Sequence, residues 1–190
     1  MNNNQMKSPL PARPVACPVS VYRKEYAKRI NQPKANGWRF LFNQATGLVM
    51  NRHGVKAKNS ELVLERLKGI EIKAQYIDGE IMGMRTKAAK GTIILIDAFD
   101  PANPQPIAER LKLIEEIEPA SFEVKSNALL RMPTLSHHKL EACWAEMEYQ
   151  NQKAGEVLWE GFVSKDDQKY PWISNPSYCS PEWHKMRIRW

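Results

Sequence analysis

Four short segments hold residue types that could do chemistry. In Pro33-Lys34-Ala35-Asn36-Gly37-Trp38-Arg39 a lysine stands just ahead of an Asn-Gly turn signal that opens a strand. An amine held at a sheet edge is a nucleophile once deprotonated, and nearby cations or desolvation favour that form. Taken alone, the segment also reads as a surface lysine before a hairpin. Ile77-Asp78-Gly79-Glu80-Ile81 sets two carboxylates in an apolar strand, and alternation puts both on one face. They suit ribose hydroxyls or a metal, or else form a solvated strand face. Leu158-Trp159-Glu160-Gly161-Phe162-Val163-Ser164-Lys165 carries a lone glutamate among apolar neighbours. Burying it without a partner is costly, so it lies at an edge or meets a cation or metal. In Trp183-His184-Lys185-Met186-Arg187-Ile188-Arg189-Trp190 the three cations alternate. A cationic strand face can hold a phosphate, and it can equally guard an edge against aggregation.

The intervening pattern supplies the elements that position these segments. Residues 1–18, Asn-rich and then punctuated by Pro9, Pro11, Pro14 and Pro18, read as a disordered or extended tail. Residues 19–30 read as a short amphipathic helix and 38–50 as a hairpin. Helices follow over 60–68, 107–117 and 136–154, N-capped by Ser60 in the first case and Ser136 in the last. Strands are read over 74–84, 92–99, 122–130, 157–164 and 183–190, and a Pro-rich loop over 101–106. Hairpins mixed with isolated helices favour an α+β fold over a doubly wound sheet.

Composition bounds the function classes. The 190 residues are 43% hydrophobic and 26% charged, which suits a single domain with its own core and excludes full disorder. No run approaches the roughly 20 apolar residues of a membrane helix. Lys plus Arg number 28 and Asp plus Glu 21, a net charge of +7 that attracts polyanions such as nucleic acid. Cys17, Cys143 and Cys179 are odd in number and far apart, which reads as free thiols in a reducing compartment. His137-His138 lacks metal-ligand spacing. Trp38, Trp144 and Trp159 read as core or half-buried anchors, and Trp172 as a loop residue that packs or rests on nucleic acid.

The order of the segments resembles the adenylation domain of ATP-dependent DNA ligases and of the wider covalent nucleotidyltransferases, which include RNA ligases and capping enzymes. The resemblance runs from about Gln32 to the C-terminus. It rests on Lys34-Ala35-Asn36-Gly37-Trp38-Arg39, Asn51-Arg52-His53-Gly54, Asp78-Gly79-Glu80, Ile93 to Asp100, Glu160 to Lys165, and Trp183 to Arg187. It implies an ATP-grasp-like nucleotidyltransferase domain with antiparallel sheets flanked by helices. It further implies that Lys34 attacks the α-phosphorus of ATP to form a lysyl-AMP, with Lys185 and Arg187 on the α-phosphate. Gln32 would lie by the adenine, Arg39 and Glu80 on the ribose, and Phe99 on the base. That strand fits in two registers, ending at Phe99-Asp100 or at Ile96-Asp97. Glu160 would bind Mg²⁺, and Arg52 would touch nucleic acid near a nick. The implied substrate is nicked duplex DNA, with RNA as the alternative, in replication or repair. The setting that the resemblance implies is the cytoplasm of a bacterial or virus-infected cell.

Two departures qualify this. Asn36 stands where the family has aspartate, and Arg187 where it has lysine. The sequence given stops three residues after Arg187. The expectation is therefore one adenylation domain over 19–190 with no C-terminal OB-fold domain, acting as a monomer or with a clamp-supplying partner protein. RNA ligation, cap guanylyl transfer, and a catalytically weakened nucleic-acid-binding module stand as alternatives.

Overall fold

Two β-sheets face each other, and three α-helices pack on their outer sides. A computed structural model describes residue 10 and residues 13–17, 26–170 and 179–187. The smaller sheet has the order β1-β9-β8-β2, with β1 at Pro14–Ala16, β2 at Ile30–Ala35, β8 at Trp159–Lys165 and β9 at Ser180–Arg187. The larger has the order β4-β3-β5-β6-β7. Its strands are β3 at Trp38–Asn43, β4 at Leu48–Asn51, β5 at Tyr76–Ile81, β6 at Ile93–Phe99 and β7 at Leu129–Arg131. The α+β class therefore stands, but the sheets are mixed rather than antiparallel. β1 runs parallel to β9, and β6 parallel to β7. The second pairing follows from its connection: a long crossover joins β6 to β7, as parallel neighbours require.

Helix α1 (Ser60–Leu67) and helix α2 (Ile107–Lys112) cover the outer face of the large sheet. Val63 and Leu67 of α1 join Phe40, Phe42, Ile77, Ile81, Ile93 and Leu95 in one core. Ile114 and Ile117 reach the same core from turns beyond α2, so the periodicity read over 107–117 outlasts the helix. Asn59, not Ser60, is the N-cap of α1. Helix α3 (Leu140–Ala154) lies behind the small sheet and buries Leu140 and Met147 against Trp159, Phe162 and Met186. A 3₁₀ turn over His137–Lys139 precedes it, and Gly155 closes it in the left-handed conformation at φ 65°. Between the sheets, Leu41, Tyr76, Phe99, Tyr170 and Trp183 form a third cluster.

The strand read over 122–130 shrinks to β7. Upstream, the carbonyl of Phe122 accepts a hydrogen bond from Trp159 Nε1 at 2.9 Å instead of joining a ladder. Residues 26–30 hold a 3₁₀ turn and the start of β2 rather than helix, while 19–25 lie outside the described residues. Trp172 and Arg189 also lie outside them.

Candidate nucleotide site

Lys34 and Glu160 meet across neighbouring strands. Lys34 pairs with Gly161 and Ala35 with Trp159, so Glu160 is an extra residue on β8. Such a bulge breaks the alternation locally and re-aims a side chain. Here it brings Glu160 Oε2 to 2.8 Å from Lys34 Nζ. Gly161 makes the bulge feasible. Its φ is 127°, and a Cβ there would lie 2.1 Å from the Met186 carbonyl oxygen. Two more cations face the same carboxylate, Arg187 at 3.2 Å and Arg85 at 3.7 Å.

The opposite wall comes from the large sheet. Arg39 and Glu80 are register partners on β3 and β5. Arg39 donates from Nε and Nη2 to the two oxygens of Asp78, each at 2.5 Å. Burial opposes the guanidinium charge, but the charge and hydrogen bonds of Asp78 outweigh it and hold Arg39 firmly protonated. Asp78 is fully buried and also accepts the Tyr170 hydroxyl proton. Glu80 is buried too and accepts the Gly37 backbone N–H at 3.2 Å. Its burial raises the carboxyl pKa, and the charges of Lys34 and Arg39 oppose that rise.

Two unpartnered polar groups mark the floor. Gln32 is 1% exposed, and neither its amide nitrogen nor its oxygen has a hydrogen-bond partner. Lys165 is 1% exposed, and its ammonium has no hydrogen-bond partner. Burial pulls its pKa down to about 7, against the pull of the Asp97 charge. Its Nζ sits 4.0 Å from the centre of the Trp183 ring. Glu160 Oε2 lines the same cleft and has no hydrogen-bond partner either. Buried polar groups are nearly always satisfied, so three such side chains in one cleft point to a ligand that satisfies them.

Phe99 does not take the place expected of it. It stacks on Tyr170 at 3.7 Å and on Tyr76 at 5.3 Å, away from the cleft. Ile96 lines the cleft instead, together with Met132 and Val163. The cause is a second bulge. Pairing steps from Gly79–Leu95 to Asp78–Asp97, leaving Ile96 as the extra residue of β6. Of the two registers, the one ending at Ile96-Asp97 puts its apolar residue at the site. Asp97 turns away into a bidentate pair with Arg110, both contacts at 2.9 Å.

The cleft thus gathers Gln32, Lys34, Arg39, Arg52, Glu80, Glu160, Lys185 and Arg187 from segments far apart in sequence. Lys185 is half-buried, and its pKa is lowered by burial and by the Arg187 charge. Arg52 is exposed at the mouth and donates to His53 at 2.9 Å. Sequence reasoning offered Ile96 through the second register and missed Arg85, Lys165 and Met132 as lining residues. The terminal lysine of the Glu160 segment was a usable signal; the other two had none. Trp38, read as an anchor, is 40% exposed at the lip. His137 and His138 lie on the exposed surface with ring centres 3.6 Å apart and planes tilted by 42°. Among the described residues no group of three or more His, Cys, Asp or Glu side chains could hold a metal ion.

No protein-family profile matches the chain, and no curated protein matches it in sequence. Solved structures do match. A Lig E DNA ligase, described as binding DNA with a minimal scaffold, aligns with a TM-score of 0.58 at 14% identity, over 94% of this chain and 69% of that one. The DNA ligase-adenylate of Chlorella virus gives 0.55 at 16%, over 94% and 68%. The ligase domain of LigD from M. tuberculosis gives 0.55 at 18%, over 96% and 60%.

Proposed function

The fold is that of solved DNA ligases, and from this premise we propose that the protein is an ATP-dependent polynucleotide ligase acting on nicked DNA. One observation carries the reading. The Lys34 amine stands in a cation-rich cleft, 2.8 Å from the Glu160 carboxylate and above two buried, unsatisfied polar groups. That arrangement fits a nucleoside triphosphate. Gln32 and Lys165 meet polar atoms of a base, while Ile96, Met132 and Val163 give it an apolar wall. Lys185 and Arg187 meet the phosphates.

Lys34 Nζ, once deprotonated, attacks the α-phosphorus. A P–N bond forms, and the bond to the β-phosphate oxygen breaks as pyrophosphate leaves. AMP then passes from Lys34 to a 5′-phosphate, which restores the amine. A 3′-hydroxyl displaces AMP to close the strand. Catalysis of such transfers comes mainly from positioning and charge neutralisation, which the cleft's cations supply.

Glu160 is the residue that would hold Mg²⁺. Its Oε2 is buried and makes no hydrogen bond of good geometry, although Lys34 and Arg187 lie close by as charges. A single carboxylate suffices, because Mg²⁺ is commonly held by one or two carboxylates plus substrate phosphates. The ion would supply neutralisation of phosphate charge.

Incubation with ATP labelled at the α-phosphate, followed by a denaturing gel, tests the reading. A labelled band that Lys34→Ala abolishes is expected, and nicked DNA should discharge it. Absence of a band, or a band unchanged in Lys34→Ala, overturns it.

A further inference from the structure

Beside the nucleotide cleft runs a second depression of about 360 Å³. It is walled by Trp38, Arg52, His53, Lys58, Asn59 and Arg85 among others, and none of its lining residues is acidic. Arg39, Arg52 and Arg85 line both spaces, so the groove opens directly onto Lys34 and Glu160. Neither Arg52 nor Lys58 has a carboxylate partner among the described residues. Trp38, Ala57 and Ile81 form the apolar part of the wall, and of the three only Trp38 is exposed. It begins β3 opposite Ile81, on the sheet face that α1 covers further along at Phe40 and Phe42. The segment ahead of α1 contributes Lys58 and Asn59 to the groove, and Trp38 is left 40% exposed. Trp144, Trp159 and Trp183 are half-buried or buried.

A part-exposed indole beside Arg52 and Lys58, two cations without a carboxylate partner, pairs a π-face with phosphate-binding charge. That combination suits a strand of nucleic acid with an accessible base, since aromatic stacking tolerates any base and cations track the backbone. We propose that the groove receives the strand end next to the reacting phosphate, with its terminal base stacked on Trp38 and its backbone held by Arg52, Lys58 and Arg85. The proposal rests on the ligase reading above and names where its polynucleotide lies. An acidic protein segment would use the same charges but would have no need of the indole.

The test uses the full chain and nicked duplexes bearing 2-aminopurine on either side of the nick. Affinity is read by anisotropy and stacking by fluorescence quenching, without any need for turnover. Trp38→Ala should abolish the quenching at one of the two positions and weaken binding by roughly 5- to 150-fold, the range given by about 1–3 kcal/mol per stacked base. Trp38→Phe should keep most of both, and it decides the matter if the alanine variant folds poorly. Arg52→Ala and Lys58→Ala should each reduce the slope of log affinity against log salt by about 1. Equal affinity and equal quenching in wild type and Trp38→Ala would overturn the proposal. So would a loss with Arg52→Ala alone and no effect at Trp38, which would mark the groove as a charge surface only. Adduct formation at Lys34 is measured in parallel. Trp38-dependent binding without an adduct would leave the groove standing and the ligase reading fallen.

Discussion

Asn36 donates its side-chain amide to the Val157 carbonyl at 2.8 Å, closing the turn after β2 onto the residue two before β8. Its Oδ1 accepts from Arg85 at 3.4 Å. An aspartate at this position keeps the second contact and loses the first, because a carboxylate has no proton to give.

Asn36→Asp is therefore expected to cost stability. Facing a carboxylate against a carbonyl forfeits one partly buried hydrogen bond and adds repulsion, about 1–3 kcal/mol together. Urea denaturation reads the loss. A variant as stable as wild type would mean that Arg85 compensates fully.

Glu160→Gln keeps the shape of the side chain and removes its charge. Lys34 then loses its 2.8 Å counter-charge, while Arg85 and Arg187 lose theirs. The rate of Lys34–AMP formation should fall by about 10²-fold, in the range seen for single electrostatic groups at transfer sites. An undiminished labelled band would remove Glu160 from the mechanism.

Lys165→Met should raise stability, and by a pH-dependent amount. The folded-state pKa of Lys165 is depressed to about 7, below the roughly 10.4 of an exposed lysine. Between these values the unfolded chain binds the proton and the folded chain does not. Stability of the wild type accordingly climbs with pH, by about 1.4 kcal/mol per unit from this group. Below pH 7 the burial cost is present in full, and above about 10.4 it is gone. The melting-temperature gain of the methionine variant should be largest at or below pH 7 and close as pH rises towards 10. Nucleotide affinity should fall in the same variant.

Tyr170→Phe separates a hydrogen bond from a ring. The phenyl keeps the stack on Phe99 and the edge contact with Trp183, but Asp78 loses the donated proton. A buried carboxylate left short of a donor costs about 1–3 kcal/mol. Arg39, held by that carboxylate, becomes less fixed, so KM for ATP should rise with kcat little changed. Equal loss in both constants would point to general unfolding of the cleft instead.

The motif residues were legible because their chemistry is unusual for their surroundings: a lysine before Asn-Gly, or a glutamate amid apolar residues. Their order along the chain made the fold readable as well. What remained hidden has a common origin in the two bulges. Strict alternation cannot choose between Phe99 and Ile96, since the choice depends on an extra residue opposite Asp78 that no local pattern announces. The same irregularity on β8 decides that Glu160 faces Lys34. Arg85 lies in a turn between β5 and β6, where an arginine is unremarkable until the fold sets it beside Glu160. Arg110 lies within the helix read over 107–117, and nothing in the local pattern sets it apart. It is 1% exposed and clamps Asp97 to the carbonyls of Gln105 and Gln168.

Strand β1 lies parallel to β9, with Val15 opposite His184, and Arg13 and Pro14 help to line the cleft. During synthesis the early strand must wait for the late one. β8 can dock on β2 as soon as it emerges, yet the wall bearing Lys185 and Arg187 closes only when Ser180–Arg187 slots between β8 and β1. Contacts of such long sequence separation form slowly, because the chain entropy of closing the loop is spent before they are gained. A nascent chain halted short of β9 would carry Lys34 and Glu160 but neither Lys185 nor Arg187, so the cleft would still lack one of its cationic walls.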